Sequence, residues 1–484
     1  MQVPSLKKNV VLNVTKTLFS LIFPLITFPY ASRILLPDGI GRVNFARAVI
    51  EYFVLIATLG ISVYGIREAA KVRDDKVQLS KIAKELFIIN IVSTLFAYIL
   101  LVIAILYVPK LNSYRALLCV ISATILFTAL GLDWLYTAVE DFEYITKRYI
   151  FFNALSLVLL FVFVKEQKDY LWYASISVFA NVGSNILNFI HSRKYIDFSI
   201  VHNLEFKKHL KPVCVLFAMA IAIKVYTVLD TTMLGFLCND WQVGIYTAAI
   251  KIDKIILSLV VAACAVLLPR LSYYSENDVE KFNKLAYKGL DILLLVSLPC
   301  CIGLFILSQH VIMLLSGEHY IESIPVMRIM NPIILIIGIS NFIGMQLFMP
   351  LRKEQYTLYS VVCGAVFNFI LNMFLIPRYQ AWGAAISTLC AETVVTGVQL
   401  FLARNIIDFK KTSRIFVVYF LNSIVMGLFV FGIVLFIKNL FISFICSAIL
   451  GFVVYVLLLF IEKNEFLYSS IMLVSKNNKS SQGV

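Results

Sequence analysis

The chain is far more apolar than its length requires. Of its 484 residues 61% are hydrophobic and 14% are charged, and the mean hydropathy is +0.89. A water-soluble domain builds its core with fewer apolar residues than this, so the composition excludes a soluble enzyme or binding domain. The formal charge of +14 would suggest nucleic-acid binding in a soluble protein, but membrane topology explains most of it here.

Apolar stretches long enough to cross a bilayer recur from end to end. A helix needs about 20 apolar residues to span the hydrocarbon core, and continuous stretches such as 88–108 and 415–437 lack the alternating polarity of barrel strands. The sequence therefore predicts an all-α integral membrane protein with about 14 transmembrane helices. The predicted spans are 10–32, 43–63, 86–108, 116–137, 147–164, 171–191, 213–236, 244–268, 288–308, 327–349, 357–376, 382–403, 414–436 and 440–461.

Basic residues concentrate in alternate loops. If the N-terminus is cytoplasmic, the loops on that side carry about three times as many Lys and Arg residues as the opposite loops. All four tryptophans, Trp134, Trp172, Trp241 and Trp382, fall near predicted span ends, as in an interfacial aromatic belt. We therefore expect a multi-pass inner-membrane protein with both termini in the cytoplasm.

The longest polar interruption, 192–211, follows the sixth span and predicts a linker between two lobes. A weak repeat supports two lobes, because GRVNFARAVIE from Gly41 parallels GIYTAAIKID from Gly244 at the starts of spans 2 and 8. Two similar lobes facing one central cavity is a transporter plan. The predicted division is an N-lobe at 1–195, a cytoplasmic linker at 196–212, a C-lobe at 213–405, and spans 13 and 14 with a cytoplasmic tail at 406–484.

Charged residues inside the predicted spans cluster in spans 1, 2, 7 and 8. Each charge costs about 2.5–3.5 kcal/mol on insertion, so such residues usually face a cavity or a partner. The set holds more bases than acids, which predicts a cationic cavity suited to an anion such as a diphosphate. The predicted substrate-binding residues are Lys16, Arg47, Lys224, Lys251 and Lys254, with Arg33 and Arg42 at the outer mouth. The acids are Glu51, Asp230 and Asp253.

Several of these charges have a simpler structural interpretation. Arg47 and Glu51 are four residues apart on one helix face and could form a structural ion pair. Lys16 lies within about two turns of the interface and could extend its ammonium group to it, as could Lys251 and Lys254.

Lys224 is the strongest candidate, because it lies in the middle of span 7 in any register. Asp230, six residues later, points to another face of the helix, where it could pair with a neighbouring helix or bind a coupling cation. Pro24 and Pro29 predict a bend in span 1, which could serve gating or be a packing feature.

No enzyme signature is present. The five histidines are scattered, and no HExxH, GxSxG, P-loop or GxGxxG pattern occurs. The sequence therefore predicts no catalytic residue, metal site or cofactor. Energy for transport would come from an ion gradient, with H+ or Na+ as the coupling ion, or from the membrane potential.

The N-terminal motifs resemble a known family. Residues 28–35 read FPYASRIL, 37–46 read PDGIGRVNFA and 59–68 read LGISVYGIRE. These segments resemble the Wzx-type flippases for O-antigen and related polysaccharide repeat units, within the multidrug/oligosaccharidyl-lipid/polysaccharide (MOP) exporter superfamily. The family usually has a glycine where this chain has Leu36, so the sequence leaves open whether the same turn forms there.

The resemblance implies two six-helix lobes around a central cavity, with two further helices. It also implies alternating access acting on undecaprenyl-diphosphate-linked oligosaccharide, which is moved from the cytoplasmic to the periplasmic leaflet, and polysaccharide polymerases as possible partners. Charged lumen residues would handle the substrate. One alternative is a cation-coupled small-molecule or drug exporter of the same superfamily. Another is a polysaccharide polymerase or ligase, for which the longest external loop, 308–327, is short.

Overall fold

The computed structural model describes residues 6–199, 203–406 and 409–462. Nearly all of these residues are helical, and no strand occurs among them, which confirms the all-α membrane fold. The predicted cytoplasmic tail after 462 and linker residues 200–202 lie outside the described residues.

Eighteen α-helices are resolved within the described ranges. In chain order they are α1 Leu6–Thr58, α2 Ile61–Lys71, α3 Lys76–Tyr107, α4 Pro109–Asn112, α5 Arg115–Gly131, α6 Asp133–Ala138, α7 Phe142–Phe163, α8 Tyr170–Val178, α9 Asn185–His191, α10 Lys207–Leu237, α11 Asp240–Ala265, α12 Leu268–Asn277, α13 Val279–Leu315, α14 Ser323–Met330, α15 Ile333–Asn341, α16 Glu354–Leu402, α17 Phe409–Phe436 and α18 Leu440–Ile461. Two π-helical turns, Phe179–Gly183 and Phe342–Phe348, follow α8 and α15.

The chain is a multi-pass membrane protein. Within the described residues nine helical segments are long and apolar enough to cross a membrane, or ten if α10, which bends by 55°, counts as one span. The long helices α1 and α16 each contain two of the predicted spans. The prediction of fourteen crossings remains a prediction.

Both long helices are interrupted by one residue with non-helical geometry. Leu36 in α1 has φ 58° and ψ 177°, and Gln380 in α16 has φ 53° and ψ −127°. The Leu36 values lie in a region that is essentially restricted to glycine and costs about 1–3 kcal/mol for other residues. The chain therefore does break out of the helix at the position that the sequence left open, with a leucine in a strained conformation.

The structure divides into two compact units. The first comprises Met1–Ala248, Leu315–Tyr320 and Gly364–Ser387, and the second comprises Ala249–Leu314, Ile321–Cys363 and Thr388–Val484. The lobes predicted at 1–195 and 213–405, with spans 13 and 14 appended, remain a prediction.

The two glycines of the predicted repeat meet within the first unit. A Cβ atom on Gly41 would lie 1.8 Å from the carbonyl oxygen of Asp240, and one on Gly244 would lie 2.0 Å from the carbonyl oxygen of Pro37. Any side chain at either position would overlap backbone atoms, so the close approach requires glycine at both.

A buried polar cluster holds Glu205 and the first turn of α10 against α2 and α3. Glu85 is fully buried, and one of its carboxylate oxygens accepts from His209 Nε2 at 2.7 Å, while the other accepts from the Glu205 backbone N–H at 2.7 Å. The Tyr64 hydroxyl bonds His209 Nδ1 at 2.8 Å, and Lys208 Nζ lies 3.2 Å from Glu85. Because a carboxylate only accepts, His209 Nε2 must carry a proton. We call these residues the Glu85 cluster.

Two tyrosines attach the last two helices to α13 within the second unit. The Tyr419 hydroxyl on α17 donates to Asp291 at 2.6 Å, and the Tyr455 hydroxyl on α18 donates to the carbonyl oxygen of Leu295 at 3.0 Å. Each hydroxyl thus has a hydrogen-bond partner within an apolar environment.

Candidate functional site

The ten candidate residues are distributed over both units. Those in the first unit are Lys16, Arg33, Arg42, Arg47, Glu51, Lys224 and Asp230. Those in the second unit are Lys251, Asp253 and Lys254, all on α11.

The first unit brings three of the candidates together around a cavity of about 320 Å³. Arg47 and Glu51 line it from the second half of α1, where their spacing of four residues places both side chains on one helix face. Lys224 on α10 forms an ion pair with Glu51, and both side chains are about one-third exposed. The alternative pairing of Arg47 with Glu51 is not formed, and the guanidinium group of Arg47 remains at the cavity wall.

Asp230 lies in a separate, buried hydrogen-bond network. Its carboxylate accepts from the Tyr246 hydroxyl at 2.8 Å and from the side-chain amides of Asn368 at 3.1 Å and Asn372 at 2.8 Å. These donors stabilise a buried negative charge. The two amides also bond each other, since Asn368 Oδ1 accepts from Asn372 Nδ2 at 3.0 Å. Asn372 Oδ1 has no hydrogen-bond partner among the described residues.

Asn368 and Asn372 were not predicted from the sequence, which singled out charged residues. The signal for them is a pair of amides four residues apart in an apolar helix, a spacing that places both on one face.

Asp253 differs sharply from Asp230. Its side chain is 3% exposed, and neither carboxylate oxygen has a hydrogen-bond partner in the part of the chain that the structure describes. On the same helix Lys251 is half-buried and Lys254 is exposed. An unpaired buried carboxylate is costly, so Asp253 is the least stabilised acid of the set.

The remaining basic candidates all lie on α1, with Arg33 and Arg42 on either side of the break at Leu36. Arg42 is exposed and pairs with Asp240 at 3.0 Å beside a cavity of about 150 Å³. Arg33 is also exposed and donates to the carbonyl oxygen of Pro29 at 3.3 Å. Lys16 is half-buried, with its ammonium group 5.7 Å from the centre of the Tyr149 ring. Arg42 is thus already paired, whereas Lys16 has a cation–π contact.

No group of three or more His, Cys, Asp or Glu side chains that could hold a metal ion occurs within 6–199, 203–406 and 409–462. The described geometry offers cations, amides and hydroxyls, which suit the binding of a polar ligand.

Comparison with known proteins places this geometry in context. The "Putative O-antigen transporter" of Escherichia coli (strain K12) is 24% identical over 405 residues, which is 83% of this chain and 97% of the relative. The protein of the same description from Shigella dysenteriae is 24% identical over 400 residues, covering 81% of this chain and 98% of the relative.

Solved structures show the same fold. A structure described as "Lipid II flippase MurJ, inward closed conformation" superposes with a TM-score of 0.74 at 18% identity, covering 95% of this chain and all of that one. An inward-facing multidrug resistance MATE family transporter of the MOP superfamily gives 0.64 at 13% identity, covering 81% and 94%.

The resemblance inferred from the N-terminal motifs is confirmed by these comparisons. The family described as "Polysaccharide biosynthesis protein" matches residues 6–275, which include all three motifs and the cavity around Arg47 and Glu51. Because this match covers more than half of the chain, the protein belongs to the polysaccharide biosynthesis protein family.

Proposed function

We propose that the protein is a flippase that moves undecaprenyl-diphosphate-linked oligosaccharide repeat units of O-antigen, capsule or exopolysaccharide across the bacterial inner membrane by alternating access. Transport would run from the cytoplasmic to the periplasmic leaflet, with both termini cytoplasmic. The observation that carries the proposal is the cavity lined by Arg47 and Glu51, with Lys224 forming an ion pair with Glu51, in a chain of this family and fold.

An ion pair among apolar helices is poor support for stability, because desolvation offsets most of its attraction. Lys224 and Glu51 are also one-third exposed, so the pair can open at little cost. A diphosphate entering near Arg47 would compete with Glu51 for the Lys224 ammonium group, and two phosphate groups present more charge than one carboxylate. We propose this exchange of partners as the way in which the first unit binds its cargo.

The other basic candidates extend this role in the proposal. Lys16, Arg33, Arg42, Lys251 and Lys254 would contribute to the field that attracts the anionic carrier. Glu51, Asp230 and Asp253 are proposed as acids for ion coupling by H+ or Na+, and Asp230 has the strongest claim because amide and hydroxyl groups already surround it. A polysaccharide polymerase would receive the cargo on the periplasmic side.

A cation-coupled small-molecule exporter is the second candidate function. The fold shared with a multidrug transporter and the two buried acids, Asp230 and Asp253, favour it. The polymerase or ligase alternative has no such support, because the family and fold are those of a transporter and not of an enzyme.

The test is deletion of the gene followed by complementation. Lipid-linked repeat units are expected to accumulate on the cytoplasmic leaflet of the deletion strain. The Lys224→Ala and Arg47→Ala variants should insert into the membrane normally but export the repeat units about tenfold more slowly than the native chain, or slower still. Lys147→Ala is the matched control, because it removes a lysine from an exposed ion pair with Glu143, where the effect is small. Full rescue by Lys224→Ala would contradict the cationic cavity, and no accumulation on deletion would contradict the flippase itself.

A further inference from the structure

The cavity around Arg47 and Glu51 has a wall of uncharged polar groups that binding of a diphosphate does not explain. Thr124 and Thr128 line it from α5, and their spacing of four residues places both hydroxyls on one helix face. Ser177 and Asn181 line it from the end of α8 and the π-helical turn that follows.

The two threonine hydroxyls are available to a ligand. Several other threonines in the apolar helices bond back to their own backbone, as Thr247 does to Val243 at 2.7 Å and Thr393 does to Leu389 at 2.8 Å. In contrast, the hydroxyls of Thr124 and Thr128 make no hydrogen bond to any residue that the structure describes. Both threonines are half-buried and line the cavity, so their hydroxyls can donate to, or accept from, a polar ligand there.

The backbone beside the cavity is irregular in a way that supports a binding role. The π-helical turn Phe179–Gly183 interrupts the sixth predicted span at the cavity wall, and such turns occur frequently at functional sites. Asn181 lies within this turn with an exposed side chain, and its amide donates to the carbonyl oxygen of Ser177 at 2.8 Å. Its side-chain oxygen is left to accept from a ligand.

The mixture of groups selects the class of ligand. An ionised phosphate can only accept hydrogen bonds, whereas a sugar hydroxyl can donate to Glu51 and also accept from Arg47 or a threonine. A volume of about 320 Å³ lies at the lower end of the range for small-molecule sites, so the cavity suits a part of an oligosaccharide.

We propose that Thr124, Thr128, Ser177 and Asn181, together with Arg47 and Glu51, form a subsite that binds a sugar unit of the cargo and contributes to its selection. This inference rests on the proposed flippase function. The diphosphate would bind next to this subsite, at Lys224, which pairs with Glu51 in the structure.

The test measures ligand-induced thermal stabilisation of the purified full-length protein in detergent. The two probes are undecaprenyl diphosphate without sugar and the lipid-linked oligosaccharide extracted from the source cells. The native protein should be stabilised more by the second probe. Thr124→Val combined with Thr128→Val keeps the side-chain shape but removes both hydroxyls, and it should weaken binding of the glycosylated carrier about tenfold to a hundredfold while leaving binding of the bare carrier unchanged.

Thr393→Val is the matched control, because the Thr393 hydroxyl is exposed and bonds its own helix; both probes should stabilise it as they stabilise the native protein. Equal stabilisation of the native protein by both probes would overturn the sugar subsite but leave the flippase intact. The subsite would also be overturned if the double variant bound both probes as the native protein does, or if its binding of the two probes were weakened equally. If neither probe stabilises the native protein, the result would count against the proposed flippase function as well.

Discussion

Gly41 and Gly244 approach each other so closely that each faces the backbone of the other's segment. A Cβ atom on Gly41 would lie 1.8 Å from the Asp240 carbonyl oxygen and 2.9 Å from the Gly244 nitrogen. Backbone atoms cannot move aside as the end of a flexible side chain can, so Gly41→Ala is expected to lower the free energy of unfolding by about 1–3 kcal/mol or more. The thermal midpoint of the purified protein in detergent measures this.

Gly397→Ala is the control for that substitution. Gly397 lies in a helix, and a Cβ atom there would have no atom within 4 Å, so alanine should stabilise the protein by about 0.5–1 kcal/mol through its helix propensity. Equal destabilisation by the two substitutions would show that the Gly41 contact is not the cause.

Leu36 interrupts α1 with backbone angles that favour glycine. Its φ of 58° and ψ of 177° strain any residue with a Cβ atom, so Leu36→Gly should be neutral or stabilising, because relief of strain offsets the lost side-chain contacts. Leu35→Gly, at a fully buried position next to it, should lower the free energy of unfolding by about 3 kcal/mol or more, because it removes a core side chain and places glycine in a helix. Thermal midpoints of the two variants give the comparison, and a large loss with Leu36→Gly would contradict the strained turn.

The two buried acids should respond oppositely to neutralisation. Asp230→Asn replaces an acceptor of three hydrogen bonds by a group that also donates, and it is expected to destabilise the protein by about 1–3 kcal/mol. Asp253→Asn removes a carboxyl group whose oxygens have no partner among the described residues, and it should leave the stability unchanged or raise it. Thermal denaturation in detergent at neutral pH tests both, and a larger loss for Asp253→Asn than for Asp230→Asn would refute this assignment.

The pairing of Glu205 with Lys81 predicts a small pH dependence outside the membrane. Lys81 Nζ donates to the Glu205 carboxylate at 2.7 Å, and this hydrogen bond lowers the pKa of Glu205 below its ordinary value. A group whose pKa is lower in the folded state stabilises the protein above its unfolded pKa of about 4.3, and this contribution is lost as the pH falls through the lower, folded value.

The difference in thermal midpoint between the native protein and Glu205→Gln should therefore be small and present at neutral pH, and it should disappear in acid. The pair is exposed, so its contribution stays within the modest range of surface ion pairs. A difference that grows as the pH falls would have the wrong sign for this mechanism.

The sequence predicted the membrane fold because the apolar stretches are long and continuous, and the helices of the structure fall on them. It could not predict the partner of Glu51. Spacing along one helix suggested Arg47, but the partner is Lys224 on another helix, which depends on packing between segments far apart in the chain. The same limit applies to Asn368 and Asn372, whose role appears only when α16 lies beside Asp230.

Local conformation set a second limit. The leucine at position 36 does not itself predict a positive φ, because leucine rarely adopts one. Tertiary context imposes this conformation. The repeat containing Gly41 and Gly244 has little sequence similarity, yet each of the two glycines lies against the backbone of the other's segment. Backbone proximity explains why these particular letters recur.

The Glu85 cluster changes where the chain tolerates engineering. The polar stretch before α10 resembles an open tether, the kind of segment usually chosen for an epitope tag, a cleavage site or a fused domain. The Glu205 amide in this stretch and the His209 ring in the first turn of α10 are instead anchored to a fully buried carboxylate. Lengthening the chain there would pull Glu85 away from its donors and leave a charge stranded among apolar side chains.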